Sequence, residues 1–221
     1  MKYRSLLLAT TLLFLLPACR KSEVTDKPAA EVTDTNATTE TTATNSTPAA
    51  GAVTSNVIKE KSKIEFVAAK VTRDHHGGFK NFDGNIEYVG GKPTKVNFSI
   101  DLASVYTDTD KLTGHLKTPD FFDVAKNPKA TFTSTSLTEA AAGAPNGATH
   151  TLTGVLDLHG MQKEVSIPVK AETTADGVRT TSEFTINRQD WGIKYPGAPD
   201  DLIKDNVLIK LDLLFPPPPA S

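Results

Sequence analysis

From Ile64 to Phe215 apolar side chains recur at every second position, a spacing that buries them only along one face of β-strands. The runs are Ile64-Phe66-Ala68; Ile86-Tyr88; Val96-Phe98-Ile100-Leu102; Ala130-Phe132; Leu152-Gly154-Leu156-Leu158; Val165-Ile167-Val169-Ala171; Val178-Phe184-Ile186; and Val207-Ile209-Leu211-Leu213-Phe215. They predict eight half-buried strands. Turn chemistry tests their parity. A two-residue loop at Asp176-Gly177 sets Ala175 against Val178, and one at His159-Gly160 sets Leu158 against Met161. Both hairpins put the apolar sets on one face. Between Tyr88 and Val96 a two-residue loop at Gly90-Gly91 would mismatch the faces, so a longer loop including Pro93 is expected. Eight antiparallel strands with one apolar face must hide it by closing into a barrel or by pairing two sheets.

The alternation stops between Asp108 and Val124. There Leu112, His115 and Leu116 fall at helical spacing, with Thr107 or Asp108 as cap and Asp108 and Asp110 near the positive end. Thr118-Pro119 starts a second turn carrying Asp120-Phe121-Phe122-Asp123. Pro216 to Pro219 end the last strand, since proline has no N–H for a ladder. Residues 56–221 thus form one all-β domain with a short helical insertion. With 24 Lys+Arg against 26 Asp+Glu and a net charge of −2, the chain lacks the basic excess that phosphate binding needs, and no nucleic acid is expected. There is no Gly-x-Ser-x-Gly elbow and no phosphate-cradling glycine loop, so no catalytic residue, enzyme activity or cofactor is expected.

The first 55 residues have a different character. Lys2 and Arg4 precede an apolar run, Leu6 to Leu16, that is too short to span a bilayer and reads as a secretory signal covering residues 1–18. Its end, Leu16-Pro17-Ala18-Cys19, resembles the bacterial lipobox. That resemblance implies acylation of Cys19 and anchoring in a membrane. Arg20 supplies no inner-membrane retention signal, which favours the outer membrane. Cys19 is the only cysteine, so no intramolecular disulfide forms. Residues 19–55, rich in Thr, Ala, Ser and Asn, read as a disordered tether with an r.m.s. span of roughly 30–35 Å.

The stretch His115-Leu116-Lys117-Thr118-Pro119-Asp120-Phe121-Phe122-Asp123-Val124, followed by Asn127-Pro128, Ala130-Thr131-Phe132 and Ser134, resembles the central motif of the YceI-like family. Leu152-Thr153-Gly154-Val155-Leu156, His159-Gly160 and Asn187-Arg188-Gln189-Asp190-Trp191-Gly192 extend the similarity in order over about residues 57–215. The resemblance implies an eight-stranded antiparallel lipocalin-like barrel enclosing a long polyisoprenoid, either an isoprenoid quinone or a polyprenyl phosphate. It also implies a periplasmic setting and, as in many members, a homodimer. The segment Lys70-Val71-Thr72-Arg73-Asp74-His75-His76-Gly77-Gly78-Phe79 departs from the family's first hairpin, which leaves the ligand's polar end unassigned.

Alternation alone fits either a filled core or a lined cavity; the resemblance favours the cavity. The expected lining is Phe66, Phe79, Phe98, Phe132, Leu156, Ile167, Phe184 and Ile209. His115 has two readings, a structural imidazole bonded to Asp120 or a head-group contact at the barrel mouth. Phe121 and Phe122 read as a plug. Trp191, with Tyr195, sits on a long loop with two readings, first a cover over one barrel end and second a contact with ligand. His75 and His76 are adjacent on a strand and point to opposite faces, so no metal site is expected. The alternative to a lipid carrier is a structural or stress-response lipoprotein with a filled core that acts through protein contacts.

Overall fold

The computed structural model describes residues 22–35 and 51–217. Two short strands come first, β1 (Glu31–Asp34) and β2 (Val53–Asn56). The barrel wall then follows as β3 (Lys63–Lys70), β4 (Asp74–Phe79), β5 (Phe82–Val89) and β6 (Lys92–Asp101). After β7 (Val105–Thr107) and the helix α1 (Asp110–Leu116) come β8 (Lys129–Glu139), β9 (His150–Leu158), β10 (Met161–Thr174) and β11 (Gly177–Asn187). The two-residue β12 (Gly197–Ala198) precedes the last long strand, β13 (Asp201–Phe215). All strand ladders are antiparallel, in the order β2-β5-β6-β8-β9-β10-β11-β13-β3-β4-β7. The sheet curls so that the segment after β2 bridges β5 and β13: Val57 N–H donates to Gly84 O (2.9 Å) and Ile58 N–H to Leu214 O (2.8 Å). The result is an all-β antiparallel barrel with one short helical insertion.

All eight strands read from the alternation are present as β3, β5, β6, β8, β9, β10, β11 and β13. Leu158 faces Met161 as the turn chemistry requires. At the β10–β11 hairpin the loop is Ala175-Asp176, with Thr173 opposite Val178, two residues from the expected pairing. A shift of two keeps the parity, so the apolar faces still match. The expected longer loop after Tyr88 is not formed. Val89 pairs with Lys92 across a two-residue Gly90-Gly91 turn, both glycines having positive φ (56° and 75°). The face mismatch is repaired inside the strand by a bulge: Tyr88 faces Pro93, while Glu87 faces Lys95. A second bulge near Thr135 turns Leu137 inward. The helix is capped by Thr109, whose side chain accepts from Leu112 N–H, rather than by Thr107 or Asp108.

The signal segment, Cys19 and residues 36–50 of the expected tether lie outside the described residues. Residues 22–35 do not follow the reading of a structureless tether. Glu31–Asp34 pair with Ser166–Lys163 of β10, and Val24 is buried with Val67, Ala69 and Leu208 on the outer face of the wall. The cause lies in the wall itself. Phe66-Val67-Ala68-Ala69 and Val207-Leu208-Ile209 are apolar on both faces, so the outer side also needs a cover.

Candidate functional site

Inside the wall lies a cavity of about 310 Å³, in the range of small-molecule sites. All eight expected residues, Phe66, Phe79, Phe98, Phe132, Leu156, Ile167, Phe184 and Ile209, line it. Phe79, Phe98, Phe132, Leu156 and Ile209 point inward from their strands yet are only half-buried, because they face empty lumen. A filled core would have closed over them. The interior is therefore hollow.

Three inward glycines explain how a bore lined by phenylalanines stays open. Gly77 faces Phe66 across β3–β4, Gly84 faces Phe98 across β5–β6, and Gly154 lies beside Phe132 on β8–β9. A Cβ on Gly77 would stand 2.5 Å from the Phe66 ring, one on Gly154 2.5 Å from the Phe132 ring, and one on Gly84 nearer still to Phe98. Each ring therefore lies flat over its neighbouring glycine instead of projecting into the lumen. A glycine opposite an inward phenylalanine was the readable signal.

One end of the bore is closed. Phe121 is buried and Phe122 half-buried, both on the cavity wall; Phe122 lies 6.0 Å from Phe79, which in turn lies 5.8 Å from Phe66. Outside this plug, His115, Phe121 and Tyr195 stack edge to face or tilted, with centroids 4.9–5.3 Å apart. His115 Nε2 lies 2.7 Å from Asp120 Oδ2, behind the plug and not on the cavity wall. Trp191 is fully buried and its Nε1–H donates to Leu156 O at 3.4 Å. It too is absent from the wall, so it packs the cap rather than facing the lumen.

Arg188 holds the cap loop. It is 5% exposed, donates from Nη1 to Ile193 O (2.6 Å) and from Nε to Lys204 O (3.2 Å), and reaches Asp205 Oδ1 at 3.2 Å. Burial pulls its pKa below the usual arginine value, and the Asp205 charge opposes that pull. His75, the buried member of its pair, has Nδ1 2.9 Å from Asp108 Oδ1, while His76 points out to solvent. Among the described residues no group of three His, Cys, Asp or Glu side chains is arranged to hold a metal.

At the other end the cavity reaches the surface. Leu137, His150, Ala171, Val178 and Thr180 line it half-buried, and Pro93 is exposed. Tyr88, buried on the same wall, has its hydroxyl pKa raised by desolvation. Tyr88, His150 and Thr180 are the polar groups of this mouth, and the alternation missed two of them. His150 and Thr180 continue the inward sets one step past Leu152 and Val178, where the side chains turn polar.

The chain and its fold have relatives among known proteins. UPF0312 proteins of Pseudomonas putida are 32% identical over 145 residues, 61% of this chain and 72% of theirs. That of Pseudomonas savastanoi pv. phaseolicola is 34% identical over 155 residues, covering 64% and 77%. Burkholderia cenocepacia BcnA shares the fold with a TM-score of 0.59 at 24% identity, over 71% of this chain and 98% of that one. A polyisoprenoid binding domain from Saccharophagus degradans, implicated in plant cell wall breakdown, also gives 0.59 at 19% identity, over 75% and 98%. The YceI-like domain matches residues 56–215, the span that builds the whole barrel, its plug and its cap loop, and the chain belongs to that family.

Proposed function

We propose that the protein is a bacterial envelope lipoprotein, anchored through Cys19, that binds and carries a long polyisoprenoid in its barrel without chemically altering it. The observation that carries this reading is the continuous apolar bore whose phenylalanines lie against the wall and leave the lumen free. Such a bore selects for length and width, and it suits a branched polyprenyl chain. Family membership supports the reading, as does the ligand named for the Saccharophagus degradans domain of the same fold. The polar mouth at Tyr88, His150 and Thr180 suits a quinone or phosphate head group, which needs hydrogen-bond donors where the apolar wall ends.

Native mass spectrometry of the Cys19→Ser chain purified from a bacterial envelope tests the cargo. The expected spectrum shows a bound species that extracts as an isoprenoid; repeated preparations with no lipid and no uptake of added ubiquinone would sink the reading. Fractionation tests the anchor separately. Cys19→Ser should leave the membrane fraction, and a variant that stays there as firmly as the parent would contradict lipidation.

A further inference from the structure

The barrel wall is split where β10 and β11 diverge. From Lys170 to Thr174 the two strands pair directly. The ladder ends at Lys170–Thr181; at Pro168, which has no N–H to give, the Ser182 hydroxyl bridges the strands, donating to Pro168 O at 2.5 Å. Beyond that point residues 28–34 fill the gap. Val32 faces Val165 of β10, while Ala30 N–H donates to Thr185 O and Thr185 N–H to Pro28 O on β11, both at 2.8 Å. Inward-facing Val165 and Ile167 on one lip of the gap, and Phe184 and Ile186 on the other, are all cavity-lining residues. Ala30 and Val32 pack half-buried against the core cluster to which these residues belong, Val32 directly opposite Val165. The segment thus covers the stretch of wall where β10 and β11 do not pair directly.

We propose that residues 22–35 are a displaceable strap and that the slit beneath it, between β10 and β11, is the portal through which a long apolar ligand enters. The strap is held by features that release readily. Ser22 Oγ donates to Asp74 Oδ1 (2.8 Å), Lys210 pairs with Glu23 (2.6 Å), Lys27 with Glu183 and Lys163 with Asp34, all at least partly in solvent. Exposed pairs of this kind are individually weak. Val24 is buried in a small apolar cluster, while Ala30 and Val32 pack half-buried against the core. A four-residue strand with so little buried apolar surface belongs to the least stable part of a fold, where local opening precedes global unfolding. A portal in the wall also suits the cargo. A chain longer than the bore enters side-on without threading its whole length through one mouth.

This inference rests on the lipid-carrier reading, in which the anchor residue Cys19 lies three positions before Ser22. The strap is then the part of the chain nearest the bilayer that holds the ligand. Lifting it opens the portal toward that source.

A reversible lock tests the portal. Asp34→Cys with Lys163→Cys, in the Cys19→Ser full-length chain, places two cysteines on directly opposed antiparallel positions, where Cα spacing suits a disulfide. The probe is cis-parinaric acid, which fluoresces in an apolar cavity, mixed rapidly with oxidised and then with reduced protein. Oxidation should slow uptake by about tenfold or more, since the open form becomes rare, and reduction should restore it. Val24→Asp, which unseats the strap's anchor, should speed uptake. Equal rates in the two redox states would overturn the portal while leaving the carrier reading intact. No uptake in either state would overturn both. Because the lock is compared within one protein, misfolding does not mimic the result.

Discussion

At one end of the barrel two long connections, residues 102–128 and 188–200, fold over the bore and bury Phe121, Trp191, Ile193 and Arg188. At the other end the strands are joined by turns as short as Gly90-Gly91 and Ala175-Asp176, and the cavity wall stays half-exposed at Leu137, His150 and Thr180. The closed end behaves as a protein core, with satisfied polar groups and rings in contact. The open end behaves as the rim of a container. Packing is concentrated at the closed end, and glycines keep the lumen between the ends clear.

That contrast predicts unequal responses to mutation. The largest loss of stability is expected for Trp191→Ala at the closed end, about 3–5 kcal/mol as for other buried aromatic deletions, read by chemical denaturation. A cost near zero would mean that the cap is not a core. Next comes Ile167→Trp, which crowds the lumen. Overpacking should cost about 1–3 kcal/mol while the thermal transition stays cooperative, and uptake of cis-parinaric acid should disappear. Normal uptake would show that the ligand does not run past this position; outright unfolding would show that there is no spare volume.

Phe132→Ala should be milder than Trp191→Ala, about 1–2 kcal/mol, because its ring already faces open lumen on one side and loses fewer contacts. Its main effect should appear as weaker probe binding. Equal costs at positions 132 and 191 would erase the distinction between wall and core. The smallest effect concerns acid. Glu23 is held below the ordinary glutamate pKa chiefly by the Lys210 hydrogen bond, opposed by partial desolvation. A depressed folded-state pKa stabilises the docked strap above the ordinary value, and that contribution is lost as pH falls through the depressed one. Amide signals of residues 22–35 should therefore broaden or shift at the acid end of an NMR titration before those of the barrel. Lys210→Met should remove the difference.

Period-two alternation was sufficient for the eight wall strands and for placing Phe66, Phe98, Phe132, Leu156, Ile167, Phe184 and Ile209 on the cavity wall, because side-chain direction along a strand is a local property of the backbone. The motif around Phe121-Phe122 and Arg188-Trp191 marked the segments that close one end. Alternation does not record what lies across the lumen. That the rings of Phe66, Phe98 and Phe132 lie over Gly77, Gly84 and Gly154 depends on which strands are neighbours, and so does the hollowness that follows. His115, on the helical stripe at the barrel mouth, and Trp191, on the long loop before the last strand, were candidates for the ligand surface. Their neighbours Asp120, Tyr195 and Leu156 O place them behind it. The bulge opposite Glu87–Tyr88 and the docking of residues 22–35 were decided in the same way. Each satisfies a face or an edge that exists only after the sheet has curled, and no window of local sequence contains that edge.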